Sequence, residues 1–354
     1  MITQLVRDQV ERGWEVTVVS PLHGLLEGDI GPLSADAERF GARHVLWPAH
    51  RPPNRHTPAE TRLLRRILHR ERPDVVHLHS SKAGLAGRLV VRGRTPTVFQ
   101  PHGWSFLAGH GLVQHGAGWW ERFATRWASA IVCVSEAERR RGEEHGLHAR
   151  WQVVPNGVDL EDFALATAAD RLEARARLGL EEEPLVLCVG RLSSEKGQDV
   201  LLEAWPAVVA EAPDARLVLV GSGRDEEALR AAAADRVLFA GDRDDVPDWL
   251  AAANVVTVPS RREGMSLTML EAMARGRSVV CTDVGGAREA VGEDAGAVVP
   301  PEQPAELARA LARRLIDPER ADAEGRAGRL RAERSHDLRA ATGAVAALYA
   351  RLAQ

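Results

Sequence analysis

Arg261–Gly276 reads RREGMSLTMLEAMARG and lies between two strand-like runs, NVVTVPS (254–260) and RSVVCTDVGG (277–286). Its carboxylates, Glu263 and Glu271, are eight positions apart. Ser266 is a good N-cap, and Leu267, Leu270 and Ala274 then share one helical face, so the stretch predicts a helix opening near Ser266. Glu263 falls in the preceding loop and Glu271 about one turn inside, which lets both face one cleft. A helix opening after a glycine loop attracts anions, because its first amides have no internal acceptor and carry partial positive charge. Carboxylates beside such amides suit sugar and ribose hydroxyls, leaving phosphate to the amides. The plainer reading is a polar loop followed by an amphipathic helix with a surface glutamate.

Upstream, GRLSSEKG (190–197) follows the apolar run LVLCV. Arg191 and Lys196 stand five apart across a turn, so both can reach one diphosphate, the guanidinium as a planar fork and the ammonium as a point charge. The chain has only two lysines, Lys82 and Lys196, among its 46 basic residues, so a lysine here stands out against an arginine background. The alternative is a solvated loop.

Around these segments the second half alternates strand and helix. LVLCVGRL (185–192), RLVLVGSG and VLFAG read as strands, and SEKGQDVLLEAWPAVV, DEEALRAAA and VPDWLAAA as helices, a pattern of parallel-sheet α/β architecture. GSGRDEE (221–227) lacks the third glycine of a dinucleotide fingerprint and sits inside the domain, so it is set aside.

The first half follows the same logic less cleanly. Met1–Arg12 predicts a helix with Leu5, Val6 and Val10 inward, ending at Gly13, and WEVTVVS a buried strand. Residues 21–56 are rich in Gly, Pro and His, with a short strand near His44–Trp47; a helix follows over Pro58–Arg70. PDVVHLHS is a strand leading into the helix SSKAGLAGRLVVRG, capped by Ser80 or Ser81. TPTVFQ is a strand ending at PHGWSF, which puts His102 at a strand's carboxyl end, where ligands bind in such sheets. Trp119, Trp120, Phe123 and Trp127 have helical spacing and read as a core stripe. The sharper alternative is a surface that meets a lipid-linked acceptor or the bilayer interface. IVCVSEAERRRGEEHGL is strand then helix, and WQVVPNGVDLEDF strand then turn at Asn156-Gly157.

At 354 residues, 45% hydrophobic and 27% charged, the chain is long enough for two domains. A net charge of −4 gives no electrostatic case for nucleic acid. Cys133, Cys188 and Cys281 each lie in an apolar run with no metal or redox spacing, and read as buried reduced thiols. Twelve of the 13 histidines precede residue 150. His77 and His79 share a strand face, and His110 and His115 fall in a glycine-rich loop; no companion ligand stands at a metal spacing, so no metal is expected. No run reaches the ~20 apolar residues of a membrane helix and no leader opens the chain, so a cytoplasmic location is expected, with peripheral contact at the inner membrane face.

The string EGMSLTMLEAMARGRSVVCTDVGG resembles the Glu-x7-Glu segment of family 4 retaining glycosyltransferases, and the resemblance runs from the first residues to the last helix. It implies the GT-B fold: two Rossmann-like, doubly wound parallel-sheet domains facing across a cleft. The family's first strand and its glycine turn are absent, which would leave an apolar strip and unpaired backbone in the first sheet; a start placed too late is the favoured explanation. The implied divisions are an acceptor-binding domain over 1–160, a nucleotide-sugar-binding domain over 161–335, and a terminal helix over 336–354 that crosses back. Val158–Phe163 would lead into the linker and Ala164–Arg177 would form the first helix beyond it. By the same resemblance, Arg191 and Lys196 neutralise the departing nucleoside diphosphate, Glu271 holds the ribose hydroxyls, and Glu263 touches the transferred sugar. Gly190 and the amides of Gly264, Met265, Ser266 and Leu267 lie near phosphate and sugar, and Gly241–Asp244, with Arg243, near the base. His102 contacts the donor sugar or its phosphate. The implied activity is metal-independent, retaining transfer from a nucleotide sugar to a glycan, lipid-linked or small-molecule hydroxyl, as in polysaccharide biosynthesis, with no cofactor beyond the donor. Two other readings remain at this point: a catalytically silent GT-B partner subunit, toward which the missing strand points, and a nucleotide-sugar epimerase, for which the first half offers histidines rather than acid/base carboxylates.

Overall fold

All strand pairings among the described residues are parallel, as long apolar runs flanked by helices require. The computed structural model describes residues 1–21, 33–50, 53–107 and 111–354. The chain divides into two units, Met1–Pro155 with Ala340–Gln354, and Asn156–Arg339.

The first unit contains α1 (Ile2–Glu11), β1 (Thr17–Ser20), α2 (Leu33–Arg39), β2 (Arg43–Leu46), α3 (Thr57–Glu71), β3 (Val76–His79), α4 (Ser80–Val91), β4 (Thr97–Gln100), α5 (Gly111–Ala124), β5 (Ala130–Cys133), α6 (Glu136–Glu144) and β6 (Trp151–Val153). Its strands make two ladders, β1-β2 and β3-β4-β5-β6, so β1 pairs only with β2 and β3 only with β4. Val98 and Val132 pack with Leu5 of α1 and with Val345 and Leu348 of the final helix. Phe99, Ile131 and Cys133 face a second cluster around Trp104 and Phe106.

The second unit contains α7 (Ala168–Leu178), β7 (Leu185–Val189), α8 (Gln198–Glu211), β8 (Arg216–Val220), α9 (Glu226–Ala232), β9 (Val237–Gly241), α10 (Val246–Ala252), β10 (Val255–Val258), α11 (Leu267–Ala274), β11 (Ser278–Thr282), α12 (Ala287–Val291), β12 (Gly296–Val299), α13 (Pro304–Leu315) and α14 (Pro318–Ser335). One six-stranded sheet runs β12-β11-β10-β7-β8-β9. β10 and β11 are buried throughout, as are the first four residues of β7. Over one face, α8 and α13 bury Leu201, Trp205, Leu307 and Leu311 against Val186, Leu217 and Val280. The last helix, α15 (Leu338–Leu352), passes into the first unit from Ala340 onward.

Several expectations need correction. Neither Ser80 nor Ser81 caps α4: the N-cap is His79 and no side chain bonds there. The helix expected over Ala164–Arg177 starts at Ala168, because Thr167 and Asp170 form a reciprocal capping box. His115 lies within α5 rather than in a loop, and His110 is outside the described residues. The aromatic series is not a core stripe: Trp119 is 61% exposed, and Trp120, Phe123 and Trp127 are half-buried. The inward side of α5 is instead made by Gly118, Glu121 and Ala124, with Glu121 paired to buried Arg88 at 2.7 Å. Residues 287–335, unassigned from sequence, supply α12, β12, α13 and α14. The three cysteines are free and buried, and burial pushes Cys188 and Cys281 up to about 12.

Candidate functional site

In the second unit the chain leaves β7 at Gly190 and turns through Arg191–Ser193 into a short 3-10 turn, Ser194–Lys196, before α8. Gly190 N–H donates to the Val220 carbonyl and Leu192 N–H to that of Ser222, both at 2.9 Å, so the turn stays laced to β8. Gln198 Nε2 donates to the Arg191 carbonyl at 3.0 Å. Gly197 joins turn to helix at φ +69°, where a Cβ would stand 2.1 Å from the Pro259 carbonyl oxygen. Only glycine permits that approach, and it brings this turn against the loop after β10.

That loop carries Glu263. Lys196 Nζ lies 2.5 Å from Glu263 Oε1, and Ser260 Oγ donates to the same oxygen at 3.0 Å. Two stretches 67 residues apart in sequence thus share one ion pair. Arg261 reinforces the junction: its guanidinium donates to Asp199 at 2.7 Å and to the Ser194 carbonyl at 2.6 Å, and it also pairs with Glu302. Asp199 first, then Glu302, hold Arg261 even more firmly protonated than usual.

The next residues present amides. Gly286 N–H donates to the Gly264 carbonyl at 2.7 Å, and Asn156 Nδ2 to the Met265 carbonyl at 2.8 Å. A trans peptide sets N–H opposite C=O, so these two bonds turn the Met265 and Ser266 N–H groups the other way. Ser266 is the N-cap of α11, its Oγ accepting from Met269 N–H, and Leu267 is the first helical residue. Glu271 sits on the second turn, half-buried, and burial pushes its carboxyl up to about 7. A small cavity beside Glu263 and Ser266 is lined by Met269, Cys281, Thr282 and Ala287.

The remaining expected residues are placed less directly. Gly241 ends β9 at φ +72°, its carbonyl accepting from Gly221 N–H at 2.7 Å. Arg243 is turned onto Asp245 at 2.9 Å, within 6.0 Å of the Trp249 ring.

His102 belongs to the first unit. It follows β4 with φ +52°, and its Nε2 lies 3.0 Å from His79 Nδ1. The His77 ring stands 3.9 Å from that of His79, and His77 Nδ1 hydrogen bonds the Tyr349 hydroxyl. Burial depresses His102 to about 4 and His77 to about 3, so both are neutral at pH 7. Among the described residues no three His, Cys, Asp or Glu side chains are arranged to hold a metal ion. The other lysine has a different environment. Lys82 is buried against Glu60 at 2.5 Å and donates to Thr57 Oγ1 at 2.8 Å. Burial alone would raise Glu60, but hydrogen bonds from Lys82 and His50 hold it at about 2.

Sequence reasoning missed Ser260, Arg261, Gln198 and the Asn156 side chain. Arg261 was in plain view at the head of the deciding stretch, but its partners lie some 40–60 residues away. Asn156 was read only as a turn former.

A family profile described as "Glycosyltransferase Family 4" matches residues 1–162, and one described as "Glycosyl transferases group 1" matches residues 183–317. The chain is 33% identical over 297 residues to the GDP-mannose-dependent monoacylated alpha-(1-6)-phosphatidylinositol monomannoside mannosyltransferase of Corynebacterium glutamicum, covering 78% of this chain and 76% of that protein. Sucrose-phosphate synthase from Thermosynechococcus elongatus superposes with a TM-score of 0.84 at 24% identity, covering 99% of this chain and 92% of that one. HepE of Anabaena, solved in complex with UDP and glucose, superposes with a TM-score of 0.82 at 21% identity, covering 99% and 94%. At such identities these two likenesses establish the fold, which is GT-B.

Proposed function

The chain belongs to glycosyltransferase family 4, and on that footing we propose that its second unit holds the nucleotide-sugar donor through the Lys196–Glu263 junction and the opening of α11. It is a glycosyltransferase, moving a sugar from a nucleotide sugar to an acceptor hydroxyl. Arg191 and Lys196 neutralise the diphosphate, and the amides of Gly264–Leu267 meet phosphate and sugar oxygens. Glu271 accepts from the ribose hydroxyls and Glu263 from the sugar. Gly190 lies under the phosphates, and Gly241 and Arg243 border the base. His102 donates to the sugar or its phosphate.

Glycosyl transfer of this kind needs charge stabilised on the departing diphosphate more than it needs a protein nucleophile. Two cations and a helix opening supply that stabilisation, so the reading requires no metal. The anomeric configuration is retained. The acceptor oxygen bonds to the anomeric carbon on the face from which the diphosphate leaves, the carbon–oxygen bond to phosphate breaks, and the departing phosphate takes the acceptor's proton.

The first unit binds the acceptor, a glycan or lipid-linked sugar, on the cytoplasmic side of a membrane and in peripheral contact with it. One observation supports contact with a membrane: the similar Corynebacterium protein is named for a phosphatidylinositol-based acceptor.

The observation that carries the donor site is the Lys196–Glu263 pair beside two oriented amides. A thermal-shift screen with UDP-glucose, UDP-galactose, UDP-N-acetylglucosamine and GDP-mannose tests it, since a ligand bound only to the folded state raises its stability. At least one donor should raise the melting temperature and release its nucleoside diphosphate on incubation, and Lys196→Ala should suppress the release. No shift and no release with any of the four would sink the reading.

A further inference from the structure

His102 is held in a backbone conformation that it does not favour. A left-handed conformation is strained for a residue other than glycine, so its surroundings must over-determine it. Its neighbour Gly103 donates its N–H to Glu138 Oε1 at 2.6 Å. Glu138 Oε2 accepts from Val134 N–H at 2.8 Å, and the Glu138 carbonyl accepts from Trp104 Nε1 at 2.7 Å. This carboxylate, on the first turn of α6, is only 5% exposed. Burying it is costly, and its two oxygens are spent on two backbone amides, one in the His102 loop and one just after β5.

The ring is held separately. A hydrogen bond between His79 Nδ1 and His102 Nε2 contains one proton, so one imidazole donates and the other accepts. Burial depresses both, which leaves each ring neutral with a single N–H. If His79 donates, the proton of His102 must sit on Nδ1; if His102 donates, its Nδ1 is bare. Phosphate and sugar ring oxygens are acceptors, so a histidine that contacts them needs an N–H to give.

We propose that His79 and Glu138 are positioning residues: His79 donates from Nδ1 to His102 Nε2 and so offers His102 Nδ1–H to the donor, while Glu138 fixes the His102–Gly103 turn. This rests on the reading of His102 as a donor contact. The His77 ring, packed on His79 and bonded to Tyr349, keeps the His79 plane in place.

Two measurements separate this from its alternatives. In the intact protein with 15N-labelled histidine, long-range proton–nitrogen correlation reads the tautomer, with His102 identified by the signals lost in His102→Ala. Nδ1–H on His102 supports the assignment, and Nε2–H overturns it whatever the activity. The second is nucleoside diphosphate release from whichever of UDP-glucose, UDP-galactose, UDP-N-acetylglucosamine or GDP-mannose stabilises the wild type. His79→Leu should lower kcat about tenfold with KM within about twofold. His79→Asn, whose Nδ2 stands where the imidazole Nδ1 was, should restore turnover to within about threefold of wild type. Glu138→Gln, which turns a donor toward one of two amides, should also lower kcat about tenfold with little change in KM. Equal impairment of His79→Leu and His79→Asn would mean that His79 merely fills space, and wild-type turnover in His79→Leu would end the proposal. Wild-type turnover in His102→Ala would instead remove the underlying reading of His102, a distinguishable result.

Discussion

The two units build their functional loops on different foundations. In the second, β7, β8, β10 and β11 each pair on both sides within one ladder of six strands. The loops after β7 and β10 emerge from neighbouring strands, and glycine backbone presses directly on backbone. In the first, the strands fall into two separate ladders, and the loop bearing His102 is held by side chains, His79 and Glu138. A site framed by main chain tolerates little change in shape, whereas one framed by side chains depends on their chemistry.

The sharpest way to break that comparison is a pair of glycine substitutions. Gly197→Ala should cost roughly 2–5 kcal/mol, because the new Cβ meets the Pro259 carbonyl in a left-handed conformation. Gly13→Ala, at φ +80° with nothing within 4 Å, should cost only the backbone term, about 1–2 kcal/mol. Equal losses by chemical denaturation would refute the contrast.

Next in size, Lys196→Ala should reduce nucleoside diphosphate release on the order of 100-fold, and affinity by much less, since its charge matters most as the diphosphate departs. Glu271→Ala should act the other way, weakening nucleotide binding by roughly 1.5–3 kcal/mol in calorimetry. Similar affinity in wild type and variant would count against a ribose-binding carboxylate.

The same group gives a pH signature. With its carboxyl raised to about 7, Glu271 takes up a proton as the pH falls through neutrality, so donor affinity should drop between pH 8 and 6, and Glu271→Gln should abolish the slope. Its effect on stability has the opposite sense. The fold favours the neutral acid, so this contribution is complete below the ordinary carboxylate range and is lost as the pH rises through about 7. The smallest effect expected is at Trp119, whose 61% exposure leaves little packing to lose; Trp119→Ser should change stability by less than about 0.5 kcal/mol.

Much of the second unit was legible because parallel strands buried on both faces are continuous apolar runs, as LVLCV and RLVLV show. The cap at Ser266 was legible because capping is local. The aromatic residues of α5 were misread for the converse reason: periodicity names a face but not what covers it, and Arg88, which draws Glu121 inward, lies 33 residues upstream. Residues 287–335 were passed over, although Leu307, Leu311 and Leu315 of α13 form a buried stripe within an arginine-rich surface. In the site, Lys196 and Glu263 were each nominated from their own loops, but their mutual contact depends on the approach of Gly197 to Pro259. Lys82 shows the limit of arguing from rarity, since a scarce residue type serves a buried ion pair as readily as a ligand.

The Lys196–Glu263 pair means that the resting protein keeps its own counterion at hand. A chloride ion that drew off the ammonium would leave a carboxylate only 17% exposed with Ser260 Oγ as its remaining donor, a penalty that chloride, which has no hydroxyl, cannot relieve. A nucleotide sugar brings hydroxyls for the carboxylate along with phosphates for the ammonium, so it can replace both halves of the bond at once. The junction is in this sense biased against anions that bring no hydrogen-bond donor, without any moving part.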